Sequence, residues 1–185
     1  MEITRIRMLR GPNLWSRHTA LEAIVSCDES ERSIDSIPQF EIKIRERFPQ
    51  LGSMRRGGHN EVLSLAHALE HAALGLQAQA GCPVTFSRTV QTIDVGVYQV
   101  VVEYTEEVVG RMAFDFAFAL IQATLNDAPF DLAAALAELE ALYEDVRLGP
   151  STGQALTSCR MCWVMPRWGF SSPWPCAVPV RSDPH

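Results

Sequence analysis

The sequence contains no block of five or six like charges, and its formal net charge is -6. That balance argues against a simple electrostatic contact with nucleic acid. It has no uninterrupted apolar run of about 18 residues, so no bilayer span and no membrane partner are expected. The first residues, Met1-Glu2-Ile3-Thr4-Arg5, lack the apolar centre of a secretory signal, and a cytoplasmic address is the expectation. Cysteine is scarce, five in 185 residues, and in that compartment the five are read as thiols rather than as a disulfide framework. There is no Gly-x-x-x-x-Gly-Lys-[Ser/Thr] loop to cradle phosphates.

What is present suits one folded domain with a substantial core, since 47% of the residues are hydrophobic. Residues 3–10 favour a strand through the β-branched Ile3, Thr4 and Ile6, although the apolar spacing fits neither period cleanly. Gly11-Pro12-Asn13 ends it as a turn. Residues 21–26 read as a second strand, and Pro38 suits the first turn of a helix with Phe40, Ile42, Ile44 and Phe48 available for burial. Residues 60–80 give the clearest helix, with Asn60 as its cap and Gly81 as its stop. Its large apolar residues surround much of the circumference, which predicts a central, well-buried helix. Strands are expected over 84–90 and 97–104, and helices over 106–126 and from Leu132 to about Val146, the last opened by Asp131. The order is that of an α+β fold: a small mixed sheet packed with a central helix and a C-terminal helical pair.

The central helix carries His67, Glu70 and His71, a His-x-x-Glu-His pattern. A spacing of four places both imidazoles on one helix face, one turn apart, where they can grip a zinc ion. Glu70 beside them is of the type that takes a proton from metal-bound water, and this residue order is known among metallopeptidases. The competing reading makes both histidines hydrogen-bonded polar members of a buried helix.

Several segments together resemble cyanophycin synthetases. They are Leu9-Arg10-Gly11-Pro12-Asn13-Leu14-Trp15, Arg56-Gly57-Gly58, His67 to His71, Gly96 to Val101 with Glu103-Tyr104, and Leu148-Gly149-Pro150-Ser151-Thr152. The resemblance covers roughly residues 1–155 and is to the N-terminal domain of that family. It implies a module that holds the growing aspartate–arginine polymer, or a primer of it, while an ATP-grasp domain and a Mur-ligase-like domain carry the two ligations. In some members the module is also a zinc-dependent peptidase that cuts cyanophycin into primers. The family forms assemblies, so a homo-oligomer is an expectation. With no ATP site in this chain and no room for an ATP-grasp domain, the expectation is a ligase fragment without the ligations. Members with the peptidase carry a Cys ligand just before the Gly-Gly pair. Here Leu51-Gly52-Ser53-Met54-Arg55-Arg56 offers no thiol, so Cys27 or Cys82 must replace it or the metal site is lost.

Against that background Arg55 and Arg56 form a basic turn able to meet aspartate carboxylates, the alternative being a solvated loop. Glu103, with Glu106 and Glu107, offers carboxylates to arginine side chains of the polymer, with Arg88 and Tyr98 as positioning groups. The plainer alternative is that acidic residues favour a helix N-terminus. Residues 156–185 hold three of the four Trp, three of the five Cys and five Pro, and do not resemble the family's continuation. A disordered tail arising from a frame change is expected there. Cys159-Arg160-Met161-Cys162 lacks the second pair that a zinc ribbon needs and is read as accidental.

Overall fold

The awkward spacing of the first strand has a simple cause. In β1 (Glu2–Leu9) the register against β2 (Ala20–Ser26) shifts between Ile3 and Arg5. The extra residue, Thr4, makes a bulge, so Ile3 and Ile6 share a face despite their odd separation. Beyond the bulge the strand alternates cleanly: Ile6 and Met8 pack against the core, whereas Arg5 and Arg7 point the other way.

The computed structural model describes residues 1–49 and 63–149. The chain divides into two units, Met1–Pro150 and Ser151–His185, and the described residues all belong to the first. Arg55, Arg56, the cap expected at Asn60, and the tail from 156 lie outside the described residues.

Four strands form one sheet in the order β1-β2-β4-β3, with β3 spanning Ser87–Gln91 and β4 spanning Val97–Glu103. Every pairing is antiparallel. The α+β class therefore holds, but the sheet is wholly antiparallel rather than mixed. The tight connection from β3 to β4, with Gly96 at φ 83°, forces that geometry. The helices are α1 (Phe40–Arg47), α2 (Leu65–Gln79), α3 (Glu107–Leu125) and α4 (Leu132–Leu148). Two single 3-10 turns, Glu29–Glu31 and Ile34–Ser36, bridge β2 to α1.

Pro38 sits in the turn before α1 rather than inside it, and Gln39, at φ 58°, precedes the first helical residue. Phe40, Ile44 and Phe48 are buried as expected, whereas Ile42 falls on the solvent side of the helix and is 61% exposed. Ser64 opens α2: its hydroxyl oxygen accepts from the His67 amide at 3.4 Å. Asp131 caps α4 as expected, accepting from Ala134 N at 3.0 Å.

The inner sheet face sets Leu21, Ala23 and Val25 of β2 opposite Val102, Val100 and Tyr98 of β4, all buried. Helix α2 lies against this face and against α3. His67 is edge-on to Tyr98 near the start of β4, and Gln77 donates to the Glu103 carbonyl at its end. Helix and strand thus run side by side in one direction. Ten helical residues rise about 15 Å and five strand residues about 17 Å, so the two elements match in length. Leu65, Leu69, Ala72, Ala73 and Leu76 of α2 are fully buried, which is the central helix the sequence implied.

Helix α3 is long and apolar enough to cross a membrane by length and composition. Its Val109, Ala113, Phe114, Ala117, Leu120 and Ile121 nonetheless belong to the core, and the helix packs on α2 and α4. The C-terminal helical pair is thereby realised.

Candidate functional site

Two places carry chemistry: the first half of α2 and the outer face of the sheet. On α2, Nδ1 of His67 faces the Ser64 hydroxyl at 3.0 Å and accepts from the Ser64 amide at 3.4 Å. This reciprocal arrangement satisfies two helix-terminal donors, with histidine standing where Glu or Gln is usual. The ring also meets Tyr98 edge-on, with centroids 6.3 Å apart. His71, one turn on, is half-buried.

Glu70 is 5% exposed, and its Oε1 accepts from the Ser87 hydroxyl of β3 at 2.7 Å. The helix thus brings His67 to Tyr98 of β4 and Glu70 to Ser87 of β3. Cys27 and Cys82 do not join them: among the described residues no group of three or more His, Cys, Asp or Glu is placed to hold a metal ion. Both thiols are buried, and burial pushes each up to about 11. A catalytic zinc takes three protein ligands and an open position, and the described residues do not supply that set.

The outer face is built by period-two alternation. Arg7, Glu22, Val101 and Arg88 stand opposite one another across all four strands. Glu22 is only 3% exposed, and it accepts from Arg7 Nε at 2.9 Å and from Arg7 Nη2. Arg5 adds a second guanidinium at 3.9 Å. At the far edge Arg88 is exposed, and its Cζ lies 6.0 Å from the centre of the Trp15 ring, the outer reach of a cation–π contact. Arg88 has no carboxylate partner among the described residues.

The connection between β1 and β2 brings Trp15 there, and Asn13 organises that connection. Its Oδ1 accepts from the amides of Trp15 and Ser16, both at 2.9 Å. Its Nδ2 donates to the carbonyls of His18 at 2.9 Å and Arg10 at 3.3 Å.

Glu103 also belongs to the outer face but is committed elsewhere. It is 5% exposed, and its Oε2 accepts from the amides of Thr85 at 3.0 Å and Phe86 at 2.9 Å, fixing the approach to β3. Its Oε1 lies 3.8 Å from Nδ1 of His18. Tyr98 is buried on the inner face, so the structure separates it from Arg88 and Glu103, with which the sequence grouped it. The sequence reading did not single out Arg5, Arg7, Glu22 or Ser87. The signal for the first two was the alternation Arg5-Ile6-Arg7-Met8, which the bulge at Thr4 masked.

An antiparallel sheet with helix α2 packed on one face defines a domain of α+β class. Comparison with known proteins gives the family. The cyanophycin synthase-like N-terminal domain matches residues 23–126, and the chain belongs to that family. It is similar to the cyanophycin synthetase of Trichormus variabilis, at 35% identity over 167 residues, which is 82% of this chain and 18% of the relative. It is likewise similar to those of Synechocystis sp., at 34% over 176 residues, and Crocosphaera subtropica, at 32% over 172 residues; each comparison covers 85% of this chain and 20% of the relative. The chain therefore spans about a fifth of the length of these curated relatives.

Proposed function

We propose that this domain holds cyanophycin, or a short primer of it, as the polymer-binding module of a synthetase. The observation that carries the reading is the outer sheet face, where Arg88 presents an exposed guanidinium beside Trp15 with no carboxylate opposite it among the described residues. A polymer of aspartate and arginine offers carboxylates, and guanidinium pairs with carboxylate through two parallel hydrogen bonds. Arg5 and Arg7 add basic groups at the opposite edge of the same face, where Glu22 of the neighbouring strand holds them. The test is incubation of the purified protein with purified cyanophycin. Retention of the protein on unshortened polymer is the expected result. Absence of retention by folded protein contradicts the reading.

A second reading, a zinc-dependent peptidase acting on cyanophycin, rests on His67 and His71 standing one turn apart on α2 with Glu70 between them. The shortfall of ligands among the described residues weighs against it. Shortening of the polymer, together with zinc that is present in the wild type and lost in His67→Ala, would favour it over the first.

A further inference from the structure

We propose that Asn13 is a positioning residue: it holds Trp15 against Arg88 and, through that pair, sets how tightly the outer face takes a carboxylate. The ligand part of this inference rests on the polymer-holding reading above.

The argument starts from hydrogen bonds. Residues 10–19 connect two antiparallel strands by a path longer than a tight hairpin, and such a connection is ordered only if something satisfies its backbone. One side chain does most of that. Asn13 uses both ends of its amide, accepting two backbone hydrogens and donating two of its own, and so ties residues 10, 15, 16 and 18 to one point. An asparagine is suited to this because it carries an acceptor with two lone pairs and a two-hydrogen donor on one short stem. A backbone bond from Asn13 N to Ser16 O at 2.8 Å closes the same turn. Trp15 is one of the two residues whose amides Asn13 Oδ1 fixes, and the Trp15 ring is the one that Arg88 overlies.

The consequence for binding follows from the geometry of guanidinium. A guanidinium over an indole is attracted by the ring without committing its N–H groups to an acceptor, and those are the groups that meet a carboxylate bidentately. Arg7 serves as a contrast. It lies in the same row, but its Nε and Nη2 are already taken by Glu22. The connection that Asn13 orders thus supports the guanidinium that has no carboxylate partner among the described residues.

The experiment uses the full chain and purified cyanophycin, with Asn13→Ala, Arg88→Ala and the double variant. Far-UV circular dichroism and the urea midpoint confirm that each variant is folded. Asn13→Ala should weaken retention by about three- to tenfold, the range expected for loss of a cation–π support. In the Arg88→Ala background the same change should add nothing. Asn13→Asp, which keeps the acceptor for the Trp15 and Ser16 amides, should recover part of the loss. The Trp15 emission, obtained as the difference from the matching Trp15→Phe variants, should shift to the red in Asn13→Ala. The inference is overturned if Asn13→Ala has no effect on retention, weakens it equally with and without Arg88, or leaves the Trp15 emission unchanged. If the wild type itself is not retained, the polymer-holding reading falls and takes the carboxylate part with it. The Trp15 emission then still decides whether Asn13 positions the ring.

Discussion

Ser87 of β3 donates its hydroxyl hydrogen to Oε1 of the buried Glu70 across the packing boundary between sheet and α2, at 2.7 Å. A hydrogen bond to a charged group in such a place contributes about 1.5–3 kcal/mol, and removing the donor leaves a carboxylate under-satisfied. Ser87→Ala is therefore expected to lower the unfolding free energy by about that amount, read from urea denaturation. A midpoint unchanged from wild type would mean that Glu70 is solvated by another route.

Gly110 lies in the first turns of α3, where glycine is a poor helix former, and the structure supplies the reason for it. A Cβ at that position would sit 2.4 Å from Cβ of Tyr104. Helix propensity alone would make Gly110→Ala stabilising by about 1 kcal/mol. The clash with a side chain anchored next to the backbone should outweigh this, and a net loss of about 1–3 kcal/mol is expected. A gain in melting temperature would contradict this packing.

Glu103 is expected to behave as a structural carboxylate. Glu103→Ala leaves the Thr85 and Phe86 amides without their acceptor and should cost about 1–3 kcal/mol. Glu103→Gln retains an acceptor and should cost less. Neither should change retention on cyanophycin once the protein is folded. A selective loss of binding in Glu103→Gln would instead support the arginine-binding role that the sequence suggested.

Burial raises both Cys27 and Cys82 from 9.0 to about 11, with the nearby Glu31 and Glu106 respectively adding to the effect. Only the thiolate is nucleophilic, so alkylation of these two at pH 8 should run at least about 100-fold slower in the native protein than in the unfolded chain. From pH 9 to 11 the unfolded thiols ionise while the folded ones stay protonated, so their contribution is complete below pH 9 and is lost as pH rises through that interval. Rapid labelling of either cysteine in native protein at pH 8 would show that it is not enclosed as described.

Most of the fold could be read from the chain because its long elements keep their period. Helices α3 and α4 fall within two residues of the expected limits at each end, as does β4. The start of β3 was placed three residues early because Val84 and Thr85 are β-prone, yet their backbone is engaged by Cys82 and Glu103 instead of by a strand ladder. The helix expected over 60–80 begins only at Leu65, since residues 63 and 64 are not helical and Ser64 is the cap, with His67 in the place where Glu or Gln usually marks such a start. The site was harder. Glu70 and Ser87 meet only through tertiary packing, and Arg7 and Arg88 share a row, with Glu22 and Val101 between them, only through a register across all four strands. No local pattern encodes either arrangement.

The most direct test of a carboxylate-binding outer face is an equilibrium measurement of wild type and Arg88→Ala on purified cyanophycin at several salt concentrations. The expected result is retention of the wild type without shortening of the polymer. Arg88→Ala should be weakened by about tenfold or more and should respond less steeply to salt, as removal of one charge-assisted bidentate contact requires. Equal retention of the two proteins at every salt concentration would contradict the account.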